Sequence, residues 1–167
     1  IEHLGCGDDV DIHMGTLGKA AGVAGGYIAS SQSIIDLVVN KGRAFIYSTA
    51  PPPAQAVAAT KALEILTSGE GRERTEKLWS NIEKLTSMLS VVRKLTPSSA
   101  IIPWMVGEVD AAVELSNRLL ESGFFVPAIR YPTVPRGTAR LRITVTANHT
   151  EADLSRLAEV LIGSEDR

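Results

Sequence analysis

The chain has 167 residues, 44% of them hydrophobic and 22% charged, a composition typical of one or two small folded domains. Its 17 basic and 19 acidic residues give a net charge of −2, so no global positive field favours nucleic acid or an anionic membrane as partner. A single cysteine, Cys6, excludes an intrachain disulfide framework. No apolar run reaches the ~20 residues that cross a bilayer, and we expect a soluble, cytoplasmic protein.

Short strands and helices alternate in the first part of the chain. Strand patterns cover 10–13, 27–30 and 45–49, and helix patterns cover 34–40, which Ser33 can cap, and 54–67, which follows three prolines. The stretch 15–26 holds five glycines, which indicates a backbone that another group approaches closely. These strands are too few for a complete doubly wound sheet, so the first ~70 residues resemble part of a domain.

A joint at 68–71 separates this region from a second one. There the patterns predict a helix at 72–94, strands at 101–106, 124–129 and 140–146, and helices at 109–122 and 151–162. A proline-rich connector, 131–137, precedes the last strand, and Thr150 with Asp153 forms a capping-box-like start for the last helix. The order predicts a compact α/β unit with a small sheet covered by helices, in which Trp79 and Trp104 belong to the core.

Lys19 is the residue with the clearest chemical potential. It lies among glycines and alanines after a predicted strand, three residues beyond the hydroxyl of Thr16, and the small neighbours leave room for a flat ligand. A lysine amine that attacks a carbonyl must be unprotonated, and such lysines bond covalently to carbonyl substrates or to pyridoxal phosphate. From these few residues alone, Lys19 is as easily interpreted as a solvent-exposed lysine in a glycine-rich turn as it is as a reactive amine.

Longer segments favour the chemical reading. The sequence DIHMGTLGKA at 11–20, followed by GGYI at 25–28, resembles the lysine segment of the α-oxoamine synthases, a family of pyridoxal-phosphate enzymes of fold type I. FIYSTAPPP at 45–53, AIRYPTVPRGTARLRIT at 128–144 and ANHT at 147–150 follow in the family's order. The resemblance implies condensation of an amino acid with an acyl-CoA and loss of CO2. The combination of the three later segments implies that the amino acid is L-alanine and that the acyl donor is a pimeloyl thioester.

The resemblance also assigns roles to individual residues. Lys19 would hold the cofactor covalently and move the α-proton of the amino acid, and Thr16 would donate to the cofactor phosphate. Ser48 and Thr49 would reach the phosphate bound by the neighbouring subunit, which implies a homodimer with shared active sites. Arg142 would hold the substrate carboxylate.

The strand pattern supports Arg142 independently. Leu141 and Ile143 alternate with it, so its guanidinium faces away from the core and can offer a carboxylate two parallel donors. A surface ion pair is the open alternative for Arg142, and for Arg140 we expect a structural role. His3 and His13 lack metal-ligand spacing, and we expect no metal site.

The family's ring-stacking histidine and ring-nitrogen aspartate lie upstream of the lysine segment and have no counterpart here. We therefore expect these 167 residues to be the C-terminal part of a longer synthase. Residues 1–69 would then be the last part of an aspartate-aminotransferase-like large domain. Residues 70–167 form a small α/β domain with a short, largely antiparallel sheet. Another α-oxoamine synthase, or a non-catalytic dimerisation module if these residues are the whole protein, are the alternatives.

Overall fold

A computed structural model describes residues 4–165, and the chain divides into two compact units, Ile1–Arg72 and Glu73–Arg167. His3 lies outside the described residues. None of the helices within residues 4–165 is both long and apolar enough to cross a membrane.

The first unit consists of a β-hairpin followed by three helices. Strands β1 (Ile12–Thr16) and β2 (Gly26–Ser30) pair antiparallel, and the register runs from Ile12 opposite Ser30 to Thr16 opposite Gly26. The helices are α1 (Gln32–Lys41), α2 (Arg43–Ile46) and α3 (Pro53–Thr67). The prediction of helix 54–67 behind the prolines is confirmed, because Pro53 occupies the first turn, where a missing N–H costs nothing.

The described part of this unit has no apolar core of its own. Between residues 4 and 72 only Gly71 is buried. Large apolar side chains are exposed on both the hairpin and the helices, among them Met14, Tyr27, Leu37, Phe45 and Val57. Secondary structure here therefore satisfies the backbone but leaves most apolar surface in contact with solvent.

Two local predictions in this unit are wrong. Residues 45–49 form no strand: the N–H groups of Phe45 and Ile46 donate to Gly42 O, and α2 results. A strand needs a neighbour to pair with, and in the described part of this unit β1 and β2 pair only with each other. Helix α1 also begins earlier than expected, because Ser31 takes the N-cap position in place of Ser33.

The predicted joint at 68–71 is a tight turn between two helices. Helix α4 (Gly69–Leu89) begins directly after Ser68, whose Oγ accepts the N–H of Gly71 at 3.4 Å. A Cβ at Gly71 would lie 2.3 Å from Leu66 O, so only glycine fits this turn. Helix α4 thus starts three residues before the predicted start at 72 and ends five residues before the predicted end at 94.

The second unit, Glu73–Arg167, is a three-stranded antiparallel sheet with helices on one face. The strands are β3 (Ile101–Gly107), β4 (Ala128–Ile129) and β5 (Ala139–Thr144), in the order β3-β5-β4. Helices α5 (Val109–Glu121) and α6 (Glu151–Glu165) complete it. The predicted order of helix, strand, helix, strand, strand, helix is confirmed, and so is the small antiparallel sheet.

Alternate residues of the strands build the core of this unit. Trp104 and Leu141, which are cross-strand partners, are completely buried, as are Leu85 of α4, Leu119 of α5 and Leu161 of α6. Trp104 lies in the core as predicted, and Trp79 is partly buried and packs against this core. Burial of a side chain of this size contributes roughly 1.5–3 kcal/mol, which makes this core the main source of stability in the described chain.

The strand predicted at 124–129 shrinks to two residues. Phe124 N–H donates to Leu119 O and closes helix α5, and Pro127 has no N–H to give to a ladder. Only Ala128 and Ile129 therefore pair with β5.

Helix α6 starts with the predicted capping box. Asp153 Oδ2 accepts the N–H of Thr150 at 2.8 Å, and Thr150 Oγ1 accepts the N–H of Asp153 at 3.2 Å. The N–H of Thr150 and its hydroxyl, which donates to the same Oδ2 at 2.7 Å, lower the pKa of the Asp153 carboxyl. Lys84 of α4 donates to Glu151 at 2.7 Å and lowers the pKa of that carboxyl as well.

Candidate active site

Lys19 lies in the connection between the two hairpin strands. The N–H of Leu17 donates to Gly25 O at 2.9 Å, and the N–H of Val23 donates to Leu17 O at 2.9 Å. A further bond, from Gly22 N–H to Lys19 O at 3.0 Å, holds the lysine backbone in a turn. The Lys19 side chain is exposed in this chain. The backbone is therefore fixed while the amine remains accessible.

Thr16 ends β1 and braces this turn. Its Oγ1 accepts the N–H of Gly18 at 3.2 Å and lies 3.5 Å from Gly25 O. The second contact is at the long limit for an O–H donor, so the hydroxyl proton is weakly engaged. Thr16 can thus hold the turn through its acceptor lone pair and still donate to an anion in front of it.

Tyr27 is a neighbour of this site that the sequence analysis missed. It lies opposite Gly15 in the hairpin register, and a Cβ on Gly15 would be 2.5 Å from Tyr27 Cε1. The phenol ring therefore lies directly over the glycine. The Gly-Gly-Tyr sequence at 25–27 was the available signal, but only the register of the hairpin puts the two residues in contact.

A cavity of about 530 Å³ opens beside the same strands. It is predominantly apolar, and it is lined by Met14, Gly15, Gly26, Tyr27, Ile28, Ile35, Val38, Val39 and Phe45. Neither Lys19 nor Thr16 lines it. The cavity fits apolar side chains better than a phosphate-bearing ligand.

Ser48 and Thr49 follow helix α2 in an irregular segment. Ser48 Oγ donates to Ala44 O, one turn earlier in the chain, so its proton is already in use. Thr49 is exposed. In this arrangement the Thr49 hydroxyl is the freer donor of the two.

Arg142 lies on the open face of the sheet in the second unit. Along β5, Leu141 and Ile143 are buried while Arg142 is exposed, as the alternation predicts. Its backbone N–H donates to Pro127 O at 3.0 Å, and Pro103 of β3 is its cross-strand partner. The backbone is held on both sides, and within residues 4–165 no carboxylate forms an ion pair with the guanidinium.

Arg140 shares that face but is half-buried. Its Nε donates to Thr138 O at 3.0 Å, and Met105 and Ile129 are its cross-strand partners. The bond to Thr138 supports the structural role expected for Arg140. His149 has a similar role in the loop before α6, where its Nδ1 accepts the N–H of Thr146 at 3.2 Å.

Comparison with protein families gives a clear result. The model of aminotransferase class I and II matches residues 3–161. The chain belongs to this family. The α/β fold expected from the sequence agrees with it.

Curated relatives narrow the comparison. The 8-amino-7-oxononanoate synthase of Citrifermentans bemidjiense is 46% identical over 162 residues, which are 96% of this chain and 42% of the relative. The enzyme of the same name from Dechloromonas aromatica is 50% identical over 150 residues, covering 89% of this chain and 38% of the relative. The chain thus spans about two fifths of the length of the relatives it matches.

Solved structures of this family share the fold. Serine palmitoyltransferase with its PLP internal aldimine superposes with a TM-score of 0.88 at 28% identity, over 98% of this chain and 42% of that one. The 8-amino-7-oxononanoate synthase of Francisella tularensis gives a TM-score of 0.75 at 27% identity, over 93% of this chain and 45% of the other.

Proposed function

We propose that these residues are the C-terminal part of an 8-amino-7-oxononanoate synthase, a pyridoxal-phosphate-dependent α-oxoamine synthase of biotin biosynthesis. The enzyme would condense L-alanine with a pimeloyl thioester and release CO2. Identities of 46% and 50% to synthases of this name, over 96% and 89% of the chain, carry the proposal. The solved structures of serine palmitoyltransferase and of an 8-amino-7-oxononanoate synthase are 28% and 27% identical to this chain, so the choice of L-alanine and a pimeloyl thioester rests on the curated relatives.

The residues of the hairpin fit the cofactor. Pyridoxal phosphate needs a primary amine for its aldehyde, hydroxyl or N–H donors for its phosphate, and a backbone without bulky side chains beside its ring. Lys19 would supply the amine and Thr16 a weakly engaged hydroxyl, and Gly18 and Gly22 leave space around them. When bound, the cofactor withdraws the electron pair that decarboxylation leaves behind.

Lys19 carries two tasks in this proposal. Its Nζ would hold the cofactor through the aldehyde carbon, and as a free amine it would accept and return the α-proton of the amino acid. The hydrogen-bonded turn would support both tasks, because it keeps the Lys19 backbone in one place. Thr16 would donate its hydroxyl to the phosphate.

Arg142 would position the amino acid. An exposed guanidinium on a strand held from both sides can present two parallel N–H donors to the substrate carboxylate. Ser48 and Thr49 would donate to the phosphate in the partner subunit of a homodimer, and the Ser48 hydroxyl would have to turn away from Ala44 O to do so.

The domain arrangement follows from the same proposal. Residues 1–69 would end the large cofactor-binding domain and residues 70–167 would form the small domain. The absence of an apolar core in the described part of the first unit supports this, since its exposed apolar residues would be covered by the remainder of the large domain and the partner subunit.

Absorption spectroscopy of the complete polypeptide with pyridoxal phosphate tests the proposal. The wild type should show the long-wavelength band of lysine-bound cofactor, and Lys19→Ala should lose it. Arg142→Ala is the matched control: it should keep the band but bind L-alanine at least tenfold more weakly, because a charge-assisted pair is worth about 1.5–3 kcal/mol. A lysine-independent spectrum would favour a non-catalytic dimerisation module, and turnover with glycine but not alanine would favour glycine C-acetyltransferase or 5-aminolevulinate synthase.

A further inference from the structure

A cavity of about 350 Å³ lies between helices α5 and α6 of the second unit. Leu115 of α5, which is buried, and Val160 of α6, which is half-buried, supply its apolar surface. Gly163 also lines it, and a Cβ at this position would meet nothing within 4 Å. The space between the two helices is therefore open because no side chain at 163 fills it.

Three charged side chains line this cavity: Arg118 and Glu121 of α5 and Glu159 of α6. Within residues 4–165 none of the three side chains forms an ion pair or a hydrogen bond. Arg118 and Glu121 are three residues apart, a spacing at which opposite charges on a helix can pair, as Lys61 and Glu64 do at 3.0 Å in helix α3. The guanidinium and both carboxylates thus remain available to another molecule.

The guanidinium of Arg118 carries a donor that needs an acceptor. Its Nε is buried, and among residues 4–165 it has no hydrogen-bond partner. A buried donor without an acceptor is costly, and such groups in folded proteins are nearly always satisfied. A carboxylate that accepts side-on from the Nε and Nη groups would satisfy it, because the guanidinium offers these donors in one plane.

The two serines of the cavity can only accept further hydrogen bonds. Ser122 Oγ donates to Arg118 O at 2.9 Å, and Ser164 Oγ donates to Leu161 O at 2.6 Å. A hydroxyl has one proton, so what remains on each serine is acceptor lone pairs. The cavity therefore combines one cationic group of donors with two carboxylates and two hydroxyl acceptors.

We propose that this cavity binds a small α-amino acid as its zwitterion. Arg118 donates to the carboxylate of the amino acid, Glu121 and Glu159 accept from its ammonium group, and Leu115 and Val160 contact its side chain. A plain anion is disfavoured because it would face the two carboxylates, and a plain cation would leave the Arg118 donors without an acceptor. A zwitterion satisfies both kinds of group at once.

This inference does not rest on the proposed function. Arg142, to which that function assigns the substrate carboxylate, is exposed on the open face of the sheet. Helices α5 and α6 pack against the other face, where Leu119, Leu141 and Leu161 belong to one core. Arg118 and Arg142 therefore belong to different sites, and binding at each can be measured separately.

Methyl NMR of the complete polypeptide, labelled with ¹³C at the leucine and valine methyl groups, tests the proposal with L-alanine as the probe. Titration should shift the methyl resonances of Leu115 and Val160 and should not shift those of Val113, which lines a different cavity. Propionate and ethylamine each lack one of the two charges of alanine. Each should therefore bind about tenfold or more weakly than alanine, because one charge-assisted contact is lost.

Variants assign the binding to the cavity. Arg118→Gln and Glu159→Gln should each weaken L-alanine binding about tenfold or more, by the same loss of a charge-assisted contact. Glu114→Gln, which is on α5 but does not line the cavity, is the matched control and should leave the dissociation constant unchanged. Arg142→Ala should also leave the Leu115 shift in place.

Several outcomes would overturn the inference: resonances of Leu115 and Val160 that do not move, equal affinity for propionate and L-alanine, or undiminished affinity in Arg118→Gln. A Leu115 shift that disappears in Arg142→Ala would do the same, since it would place the amino acid at the other site. If Arg118→Gln does not fold, Glu159→Gln decides in its place, because Glu159 is exposed and its replacement leaves the core intact.

Discussion

At the scale of single residues, the hairpin shows how a glycine and an aromatic ring are matched across two paired strands. The Tyr27 ring lies where a side chain at Gly15 would be, so any larger residue at this position makes the ring turn away. Gly18, three residues further along the chain, faces open space: its nearest neighbour would be Thr16 Oγ1 at 3.6 Å, an ordinary contact. The space around Gly15 and Gly18 therefore differs, although both are glycines of the same short sequence segment.

This difference predicts unequal effects of alanine. Gly15→Ala makes the half-exposed Tyr27 ring turn away and should destabilise the hairpin by about 1 kcal/mol, the upper end of what one cross-strand contact contributes. Amide hydrogen exchange of Leu17, whose N–H donates to Gly25 O, should accelerate at least fivefold. Gly18→Ala is the control and should leave this exchange within twofold of wild type. Equal exchange rates in the two variants would contradict the assigned contact.

At the scale of elements, helix α6 depends on its first turn. Asp153 and Thr150 exchange three hydrogen bonds there, and the lowered pKa of Asp153 reports that the folded state favours the ionised carboxylate. A carboxyl whose pKa is lower in the folded state stabilises the fold above its unfolded pKa. That stability is lost as the pH falls through the folded value.

We therefore expect acid to weaken this helix start. As the pH falls below the ordinary value for aspartate, about 3.9, wild-type unfolding free energy should decline partly through Asp153. Thr150→Val removes the hydroxyl but keeps the shape and the backbone N–H, so it should flatten that part of the pH profile only in part, as measured by urea unfolding monitored by circular dichroism. Ser155→Ala, in the same helix but outside the cap, is the control. A Thr150→Val profile parallel to that of wild type would contradict the role of the cap.

At the scale of the whole molecule, the two units differ in how they are stabilised. The second unit, Glu73–Arg167, contains every buried large apolar residue of the described chain, whereas residues 4–72 present theirs to solvent. Apolar burial is the dominant favourable term in folding, so the second unit has the means to fold by itself and the first does not.

Two leucines test this contrast in the 167-residue chain. Leu85, which is completely buried, should cost about 2–5 kcal/mol of unfolding free energy when replaced by alanine, because a cavity remains. Leu37, which is 61% exposed, should cost less than about 0.5 kcal/mol on the same substitution. Urea denaturation followed by tryptophan fluorescence measures the effect of Leu85→Ala, since Trp104 lies in the same core, and amide hydrogen exchange in helix α1 measures the effect of Leu37→Ala. Equal losses would show that the first unit also buries its apolar residues.

Much of this protein follows from its sequence, because periodicity and turn chemistry are local properties. The alternation around Arg142, the glycine-rich turn around Lys19 and the cap at Thr150 are all formed by residues close together in the chain. Local pattern also placed the described helices of ten or more residues to within five residues of their ends, whereas it missed the short helix α2.

Tertiary structure decided what depends on partners distant in the chain. Within the described residues no strand pairs with FIYST, of which only Phe45 and Ile46 enter helix α2, and Pro127 reduced a predicted six-residue strand to two residues. Tyr27 covers Gly15, and Tyr131 holds Arg136, only because the backbone brings them together through a hairpin register and a folded connector. Register and loop closure arise from the sum of many weak contacts, and no single short pattern encodes them.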